Sequence, residues 1–555
     1  MNLEALLADR LTAAFATAAA GTTVDPAVRA SQHADFQSGA ALALARVTGR
    51  PPREIAAEVA ARADLAGLAT VEVSGPGFLN LTLDDELIAA SVTALDDRLG
   101  VAPVVRPDRV LIDYSGPNMA KEMHVGHLRS TIIGDALARI FEWLGHDVLR
   151  VNHLGDWGTP FGMLVEHLVE VGGADGDDHT LADLTAFYRD ARVKFDGDDD
   201  FRTRARLRVV ALQNGDARSR ELWRRLMAVS EVHFLAAYAR LGVGLGPGDF
   251  VGESFYQDRL ASVVDDLTAL GLLVESEGAL CVFPPGFTGR DGDPLPLIVR
   301  KSDGGFGYAA TDLAAIRHRA GTLGATRMLY VVGSPQHTHF AMVFAVARQA
   351  GWLPGGVTPE HIEFGSILGA DGKMLKTRAG GTIKLADLLD GADERASSPA
   401  VGVGAIKYAD LASDRRSDYV FDWDRMLAST GNTGPYLQYA YARIRSILRQ
   451  AAGPAPSAIA GPDQVLLGHP AERRLALTLL GFEPAVTAAA DQREPHRLAG
   501  YLHDLAVAFT GFYESCPVLR AAGETRASRL VLTDRTGRTL ATGLNLLGIG
   551  IPDEM

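Results

Sequence analysis

The segment over residues 109–151 limits the possible folds more than any other part of the chain. Arg109-Val-Leu-Ile-Asp-Tyr114 is a short apolar strand, Ser115-Gly-Pro-Asn118 a turn, and a helix is expected from there to about Leu144, followed by a second strand over 147–151. Strand, glycine-containing turn, helix and strand form the βαβ signature of a nucleotide-binding α/β fold. The pattern resumes with strands at Leu297-Ile-Val-Arg300 and Met328-Leu-Tyr-Val-Val332, and a helix over 308–320 between them.

A chain of 555 residues exceeds what one core sustains, so several domains are expected. Residues 1–102 read as helices followed by strands over 70–73 and 78–83, around the turn Ser74-Gly-Pro-Gly77. A proline-bearing stretch over 100–108 closes this unit. The α/β domain takes residues 103–395, interrupted over about 164–296 by a charge-mixed, largely helical insertion containing the acidic run Asp196-Gly-Asp-Asp-Asp200. Residues 396–555 lack strand alternation and read as helices broken by a loop over 452–462.

The net charge of −14 argues at first against a nucleic-acid partner. Its distribution argues otherwise. Residues 425–462 hold no Asp or Glu, while Arg425, Arg443, Arg445 and Arg449 lie there with Tyr436, Tyr439 and Tyr441, a basic and aromatic stretch suited to folded RNA. Cys281 and Cys516 form no C-x-x-C pair, so neither a disulfide framework nor a cysteine-rich zinc site is expected, and a reducing cytoplasm fits. The N-terminus carries Glu4 and Asp9 among helically spaced apolar residues, unlike a signal peptide, and no window reaches the length of a membrane span.

Two constellations carry chemistry. In His124-Val-Gly-His127, the histidines sit three apart on a first helical turn, where both side chains and the helix N-terminus attract phosphate oxygens. Gly126 leaves room for a flat base to approach the backbone. Taken alone, the tetrapeptide reads equally well as a surface or metal-binding pair. Far downstream, Asp371-Gly-Lys-Met-Leu-Lys-Thr-Arg378, followed by Gly380-Gly381, places Lys373 and Lys376 on a glycine-flanked loop suited to clamping a triphosphate. Alone, it reads as a solvated basic loop.

Together these motifs resemble the HIGH and KMSKS signatures of class I aminoacyl-tRNA synthetases. The run from Ser115-Gly-Pro-Asn118 through His127-Leu-Arg-Ser-Thr131, with Asn152-His-Leu-Gly-Asp-Trp-Gly158, Gly431-Asn-Thr-Gly-Pro-Tyr-Leu-Gln-Tyr-Ala440 and Leu547-Gly-Ile549, resembles the arginyl branch. The resemblance implies a Rossmann-like catalytic domain with an inserted subdomain, an N-terminal α+β module that touches the tRNA elbow, and a C-terminal all-α anticodon-binding bundle. It implies ATP with Mg²⁺, L-arginine and tRNA-Arg as partners, and a monomer; the cysteine spacing and the lack of a membrane-length window add the expectations of no zinc and no membrane. His124 and His127 would contact the phosphates while the arginine carboxylate attacks the α-phosphorus, and Lys376 with Lys373 would hold the departing pyrophosphate.

A guanidinium calls for carboxylates set as a fork. By resemblance, Tyr308 and Asp312, four apart on one helix face, form that site with Glu253 of Gly252-Glu-Ser-Phe-Tyr256. Asn118 and Gln336 would hold the α-amino and carboxylate ends, and His153 with Asp156 would line the pocket. For tRNA, the resemblance points to Phe78, Asn80, Tyr436, Tyr439 and Met555. Two positions depart from the family: Gly39, where Asn is usual, and Gly333, where Asp is frequent. Two other readings stay open, a divergent copy with altered amino-acid or inhibitor response and a non-catalytic tRNA-binding regulator. The histidines, Lys376, Tyr308 and Asp312 speak against the second.

Overall fold

The computed structural model describes residues 2–19, 24–171, 184–289, 291–376, 382–452 and 464–552. The loop expected over 452–462 falls, beyond Ala452, outside these, as do Met555 and residues 377–381 of the lysine loop.

The first module packs α1 (Leu3–Ala18), α2 (Ala40–Thr48) and α3 (Pro52–Arg62) on an antiparallel sheet ordered β1-β2-β4-β3, made of β1 (Val28–Ala30), β2 (Phe36–Ser38), β3 (Ala69–Ser74) and β4 (Phe78–Leu83). β1 and β2 were not anticipated; three residues each are too short to show alternation. Helix α4 (Asp85–Thr93) leads out of the module.

The α/β region centres on a five-stranded parallel sheet ordered β12-β11-β5-β6-β7, with β5 (Arg109–Asp113) in the middle, β6 (Asp147–Leu154) and β7 (Phe250–Gly252) on one side and β11 (Arg327–Tyr330) and β12 (Thr358–His361) on the other. A strand covered on both faces must be apolar throughout, and Val110, Leu111 and Ile112 are all buried. Alternation assigns them to opposite faces. Val110 and Ile112 join the core containing α5 (Val125–Trp143), whereas Leu111 joins the one built by α10 (Gln257–Ala269), α11 (Tyr308–Gly321) and α12 (His337–Gln349).

The structure corrects two expectations here. The strand at Leu297–Arg300, β10, lies outside the parallel sheet. It joins β8 (Val274–Ser276) and β9 (Ala279–Val282) in a separate antiparallel sheet, where Leu297 and Val299 are buried and Ile298 and Arg300 exposed, the signature of one-sided cover. The fifth parallel strand is instead β7, inside the segment read as insertion and too short to stand out. Ahead of β7 that segment holds the helices α6 (Thr159–Glu170), α7 (Leu184–Gly197), α8 (Asp199–Gln213) and α9 (Ala217–Leu241), and after it α10, β8 and β9. The acidic run at residues 196–200 has a local task, since the Asp198 carboxylate caps α8 by accepting from Phe201 N at 3.0 Å.

After β13 (Ile367–Leu368) and α13 (Leu385–Arg395) the described residues form helices and one short strand, β14 (Tyr419–Val420), which pairs with β13. The helices are α14 (Pro399–Leu411), α15 (Trp423–Met426), α16 (Gly434–Ala452), α17 (Pro470–Leu479), α18 (Phe482–Gln492), α19 (His496–Ser515) and α20 (Gly523–Leu546). No helix among the described residues is long and apolar enough to cross a membrane.

Buried ions join the helical region to the sheet. Arg129 on α5, 1% exposed, lies 3.1 Å from Asp410 on α14 and donates to Ser417 O at 2.9 Å. Lys407, also on α14, donates to Leu241 O at 2.9 Å. At the periphery, Arg473 on α17 grips Asp35 through two bonds of 2.7 and 2.8 Å and Asp85 through one of 2.6 Å. Removing one partner of a buried pair strands the other charge. Asp410→Ala is therefore expected to destabilise the protein by about 3–5 kcal/mol, read as a lowered urea midpoint; an unchanged midpoint would show that Arg129 finds other partners.

Candidate active site

The loop over residues 115–120 joins β5 to α5 along an unusual path, with Ser115 at φ 74° and Ala120 at φ 58°. Side chains from three elements hold it there. Ser130 Oγ on α5 accepts from Ser115 N at 2.8 Å, Asn152 Oδ1 on β6 from Gly116 N at 2.9 Å, and Ser230 Oγ on α9 from Ala120 N at 2.8 Å. Such over-determined strain at the C-terminal end of a parallel sheet marks a ligand site.

The two histidines cap the helix that follows. His124 Nδ1 accepts from Gly126 N, and His127 Nδ1 accepts from His124 N, both at 3.1 Å. Because each Nδ1 is an acceptor, each ring carries its hydrogen on Nε2 and presents a donor. The rings lie 4.0 Å apart. Burial, with the nearby Lys121 charge, lowers the His124 pKa; burial, then His124, lowers that of His127 to about 3. Both are therefore neutral donors at physiological pH. The glycine between them has a different reason from the one anticipated, because a Cβ on Gly126 would stand 2.8 Å from Cε1 of the His124 ring.

These residues open onto a cavity of about 740 Å³, lined also by Asn118, His153, Glu253, Tyr308, Asp312 and Gln336. Tyr308 and Asp312 project from the first turns of α11, Gln336 ends a single 3-10 turn before α12, and Glu253 begins the turn after β7. Asp312 is engaged by His339 Nε2 at 2.6 Å. Burial works against charge on His339, yet the bond and charge of Asp312 raise its pKa overall. Burial, reinforced by Asp156 and Asp312, pushes the Glu253 carboxyl up to about 7.

Asp156 does not line the cavity. It is buried behind it, accepting from Ser254 N at 2.8 Å and Ser254 Oγ at 2.5 Å, and thereby anchors the turn that carries Glu253. His153 sits on the floor, where Arg319 donates to its Nδ1 at 3.3 Å and also pairs with Asp113 at 2.8 Å. Sequence reasoning missed Asp113, Arg319 and His339. Asp113 ends the central strand, where parallel sheets bind ligands, and position alone signalled it; nothing in the sequence signalled Arg319.

Lys373 and Lys376 lie apart from this cavity, exposed in a shallow hairpin paired through Leu368 with Met374 and Lys376 with Thr382. The strand leaving the hairpin nonetheless docks on the histidines. Val125 N donates to Ile383 O at 3.0 Å and Leu385 N to Met123 O at 2.9 Å.

Among the RNA candidates, Phe78 and Asn80 are half-buried on one face of β4, and Asn80 Oδ1 accepts from Gln37 at 2.7 Å. A Cβ on Gly39 would come within 3.3 Å of Phe78, so a side chain there would press on this face. A side chain on Gly333 would meet only ordinary contacts with Pro335 and Phe364. Tyr439 is 44% exposed with the Arg443 guanidinium 4.8 Å over its ring, whereas Tyr436 bonds Thr510 at 3.3 Å inside the bundle.

A strained loop, paired helix-capping histidines and a lysine hairpin, all at the C-terminal edge of a parallel sheet, are the parts of a class I aminoacyl-tRNA synthetase, and the family model described as tRNA synthetases class I (R), catalytic domain, matches residues 93–423. The models for the arginyl-tRNA synthetase N-terminal domain and the DALR anticodon-binding domain match residues 1–83 and 437–555. The chain belongs to the arginyl-tRNA synthetase family. It is 54% identical to the arginine–tRNA ligase of Thermobifida fusca, with 96% of this chain and 95% of that protein covered. Among solved structures it resembles the arginyl-tRNA synthetases of Plasmodium falciparum (TM-score 0.86, 29% identity, 100% of this chain and 99% of that chain) and Thermus thermophilus (0.82, 27%, and 100% of both).

The capping geometry makes a specific demand on Gly126. Gly126→Ala is expected to displace the His124 ring and lower the rate of ATP–pyrophosphate exchange by roughly 10²-fold, the loss typical of one transition-state donor, with little change in melting temperature. A rate within threefold of the parent would show that the ring position is immaterial.

Proposed function

We propose that the family's reaction, ATP-driven attachment of arginine to tRNA, runs in the cavity beneath α5. The observation that carries this reading is the convergence of Glu253 and Asp312, from separate elements, on the same cavity as the two histidine donors. A guanidinium with parallel N–H groups fits between two carboxylates. Tyr308 lies along it, and His153, fixed by Arg319, closes the floor. Asp156 acts through Ser254 as a positioning residue. Asn118 and Gln336 hold the α-amino and carboxylate ends, directing the carboxylate toward ATP.

The substrate supplies the nucleophile, so the protein needs to align and neutralise. The carboxylate attacks the α-phosphorus, forming arginyl-adenylate and expelling pyrophosphate. Nε2–H groups of His124 and His127 donate to the phosphate oxygens as charge builds, and Gly126 keeps the His124 ring seated. Lys373 and Lys376 take the pyrophosphate as the hairpin swings inward, and Mg²⁺ enters on the ATP phosphates as part of that substrate. The terminal ribose hydroxyl of tRNA then displaces AMP. Phe78 and Asn80 on β4 and Tyr439 on α16 offer surfaces for bases, with Tyr436 backing Tyr439.

ATP–pyrophosphate exchange with each amino acid, run with and without tRNA, tests the reading. Exchange with arginine alone is expected; none from folded protein under either condition would leave a tRNA-binding role without catalysis. Asp312→Ala removes half the fork and should weaken arginine binding by about 3–5 kcal/mol, seen as a KM increase of roughly two to four orders of magnitude; an unchanged KM would remove Asp312 from the site.

Glu253 adds a pH dependence. With its carboxyl at about 7 in the free protein, a bound guanidinium lowers that value, so arginine favours the ionised form. Affinity is full above pH 7 and falls as the pH drops below it. The arginine KM is expected to rise from pH 8 to pH 6, and Glu253→Gln is expected to flatten this slope.

A further inference from the structure

At the outer edge of the parallel sheet, the last residue of β12 and the first residue of α12 meet. One ring nitrogen of His337, one of His361 and a carboxylate oxygen of Glu363 lie within 4.8 Å of one another, and His337 Nδ1 stands 3.5 Å from Glu363 Oε2. We propose that His337, His361 and Glu363 form a binding site for a borderline divalent cation of the zinc type, with water completing its shell.

The ligand set fits such an ion. Zinc accepts imidazole nitrogen and carboxylate oxygen at about 2.0–2.2 Å in a tetrahedron, which sets neighbouring ligands roughly 3.3 Å apart. The His337–Glu363 separation is already close to that edge, and rotation of these two side chains, both partly open to solvent, closes the remainder. Two imidazoles with one carboxylate favour Zn²⁺, Co²⁺, Ni²⁺ or Cu²⁺ over Mg²⁺ or Ca²⁺, which take oxygen ligands.

His361 is prepared for a ligand's role. Its Nε2 lies 2.9 Å from Val332 O, and because a carbonyl only accepts, the ring hydrogen is on Nε2 and the Nδ1 lone pair is free. Nδ1 is buried and has no hydrogen-bond partner, a costly state for a polar atom that nothing else in the fold explains. A backbone carbonyl behind the far nitrogen is the usual support of a metal-bound imidazole. The ring is further fixed by stacking on Phe340, 5.2 Å away. The nearby cation, Arg415, directs its guanidinium to the carbonyls of Glu363 and Arg493, leaving the Glu363 carboxylate to His337. The expectation of no zinc rests on cysteine spacing, which is silent about a histidine–carboxylate set.

The test uses the full-length protein, stripped of metal by chelation and titrated with Co²⁺ while visible absorption is followed. One equivalent is expected to bind with the intense absorption of a four-coordinate site and to be displaced by Zn²⁺. His337→Ala and Glu363→Gln, both substitutions of side chains partly open to solvent, should each weaken binding more than tenfold while leaving the circular dichroism and melting temperature of the metal-free protein unchanged. Zn²⁺ should raise the melting temperature of the parent and not of the variants. Uptake absent up to millimolar Co²⁺, or equally strong in both variants, would overturn the proposal.

Discussion

The buried pair between Arg129 and Asp410 is the contact on which the working geometry rests. Arg129 lies one turn into α5, the helix whose start carries the two capping histidines, and Asp410 belongs to the helical region that follows the parallel sheet. A guanidinium in that position must be neutralised and hydrogen-bonded or the core does not close. Satisfying it fixes where α14 lies against α5. The same helix is pressed onto the central strand at Gly134, where a Cβ would overlap the Tyr114 ring at 2.3 Å, and Asp135 accepts from Gly244 N at 2.8 Å. The donors at its start thus sit on an element held along its length, which is what preorganised catalysis requires.

The cavity sorts charge in a consistent way. At the start of α5, burial keeps the imidazoles neutral, so they act as directional donors, while Lys373 and Lys376 remain in solvent on their hairpin. On the acidic side of the cavity, burial and the charges of Asp156 and Asp312 raise Glu253, and Asp312 is shared with His339. The ionised form of Glu253 is therefore held in an unfavourable state, which the guanidinium of the proposed substrate relieves. Deeper still, Asp113 and Arg319 cancel each other and orient His153 without adding net charge to the floor.

Much of this was legible in the sequence, for reasons that differ by element. The βαβ segment could be read because β5 is covered on both faces and so runs apolar without interruption. The histidine pair could be read because it occupies a helix start after a glycine turn. β7 and the first two strands of the N-terminal module could not, since three residues carry no period. Leu297-Ile-Val-Arg300 looked like another parallel strand because Ile298 is apolar though half exposed, and only its neighbours reveal the second sheet. The residues that converge on the cavity were reachable through the family resemblance, but the tautomers of the histidines, the support Asp156 gives to Glu253, and the Arg319–Asp113 pair are products of tertiary packing. No spacing rule contains them.

The grip of Arg473 on Asp35 and Asp85 ties the N-terminal module to the C-terminal bundle directly, without passing through the catalytic sheet. One end of this grip lies in the part matched by the DALR anticodon-binding model and the other in, or just after, the part matched by the N-terminal domain model. Under the proposed function the clamp makes them the two arms of one caliper, and an RNA whose elbow and anticodon stand at another separation leaves one arm empty. Selection by length and bend is thereby available to the protein before a single base is read.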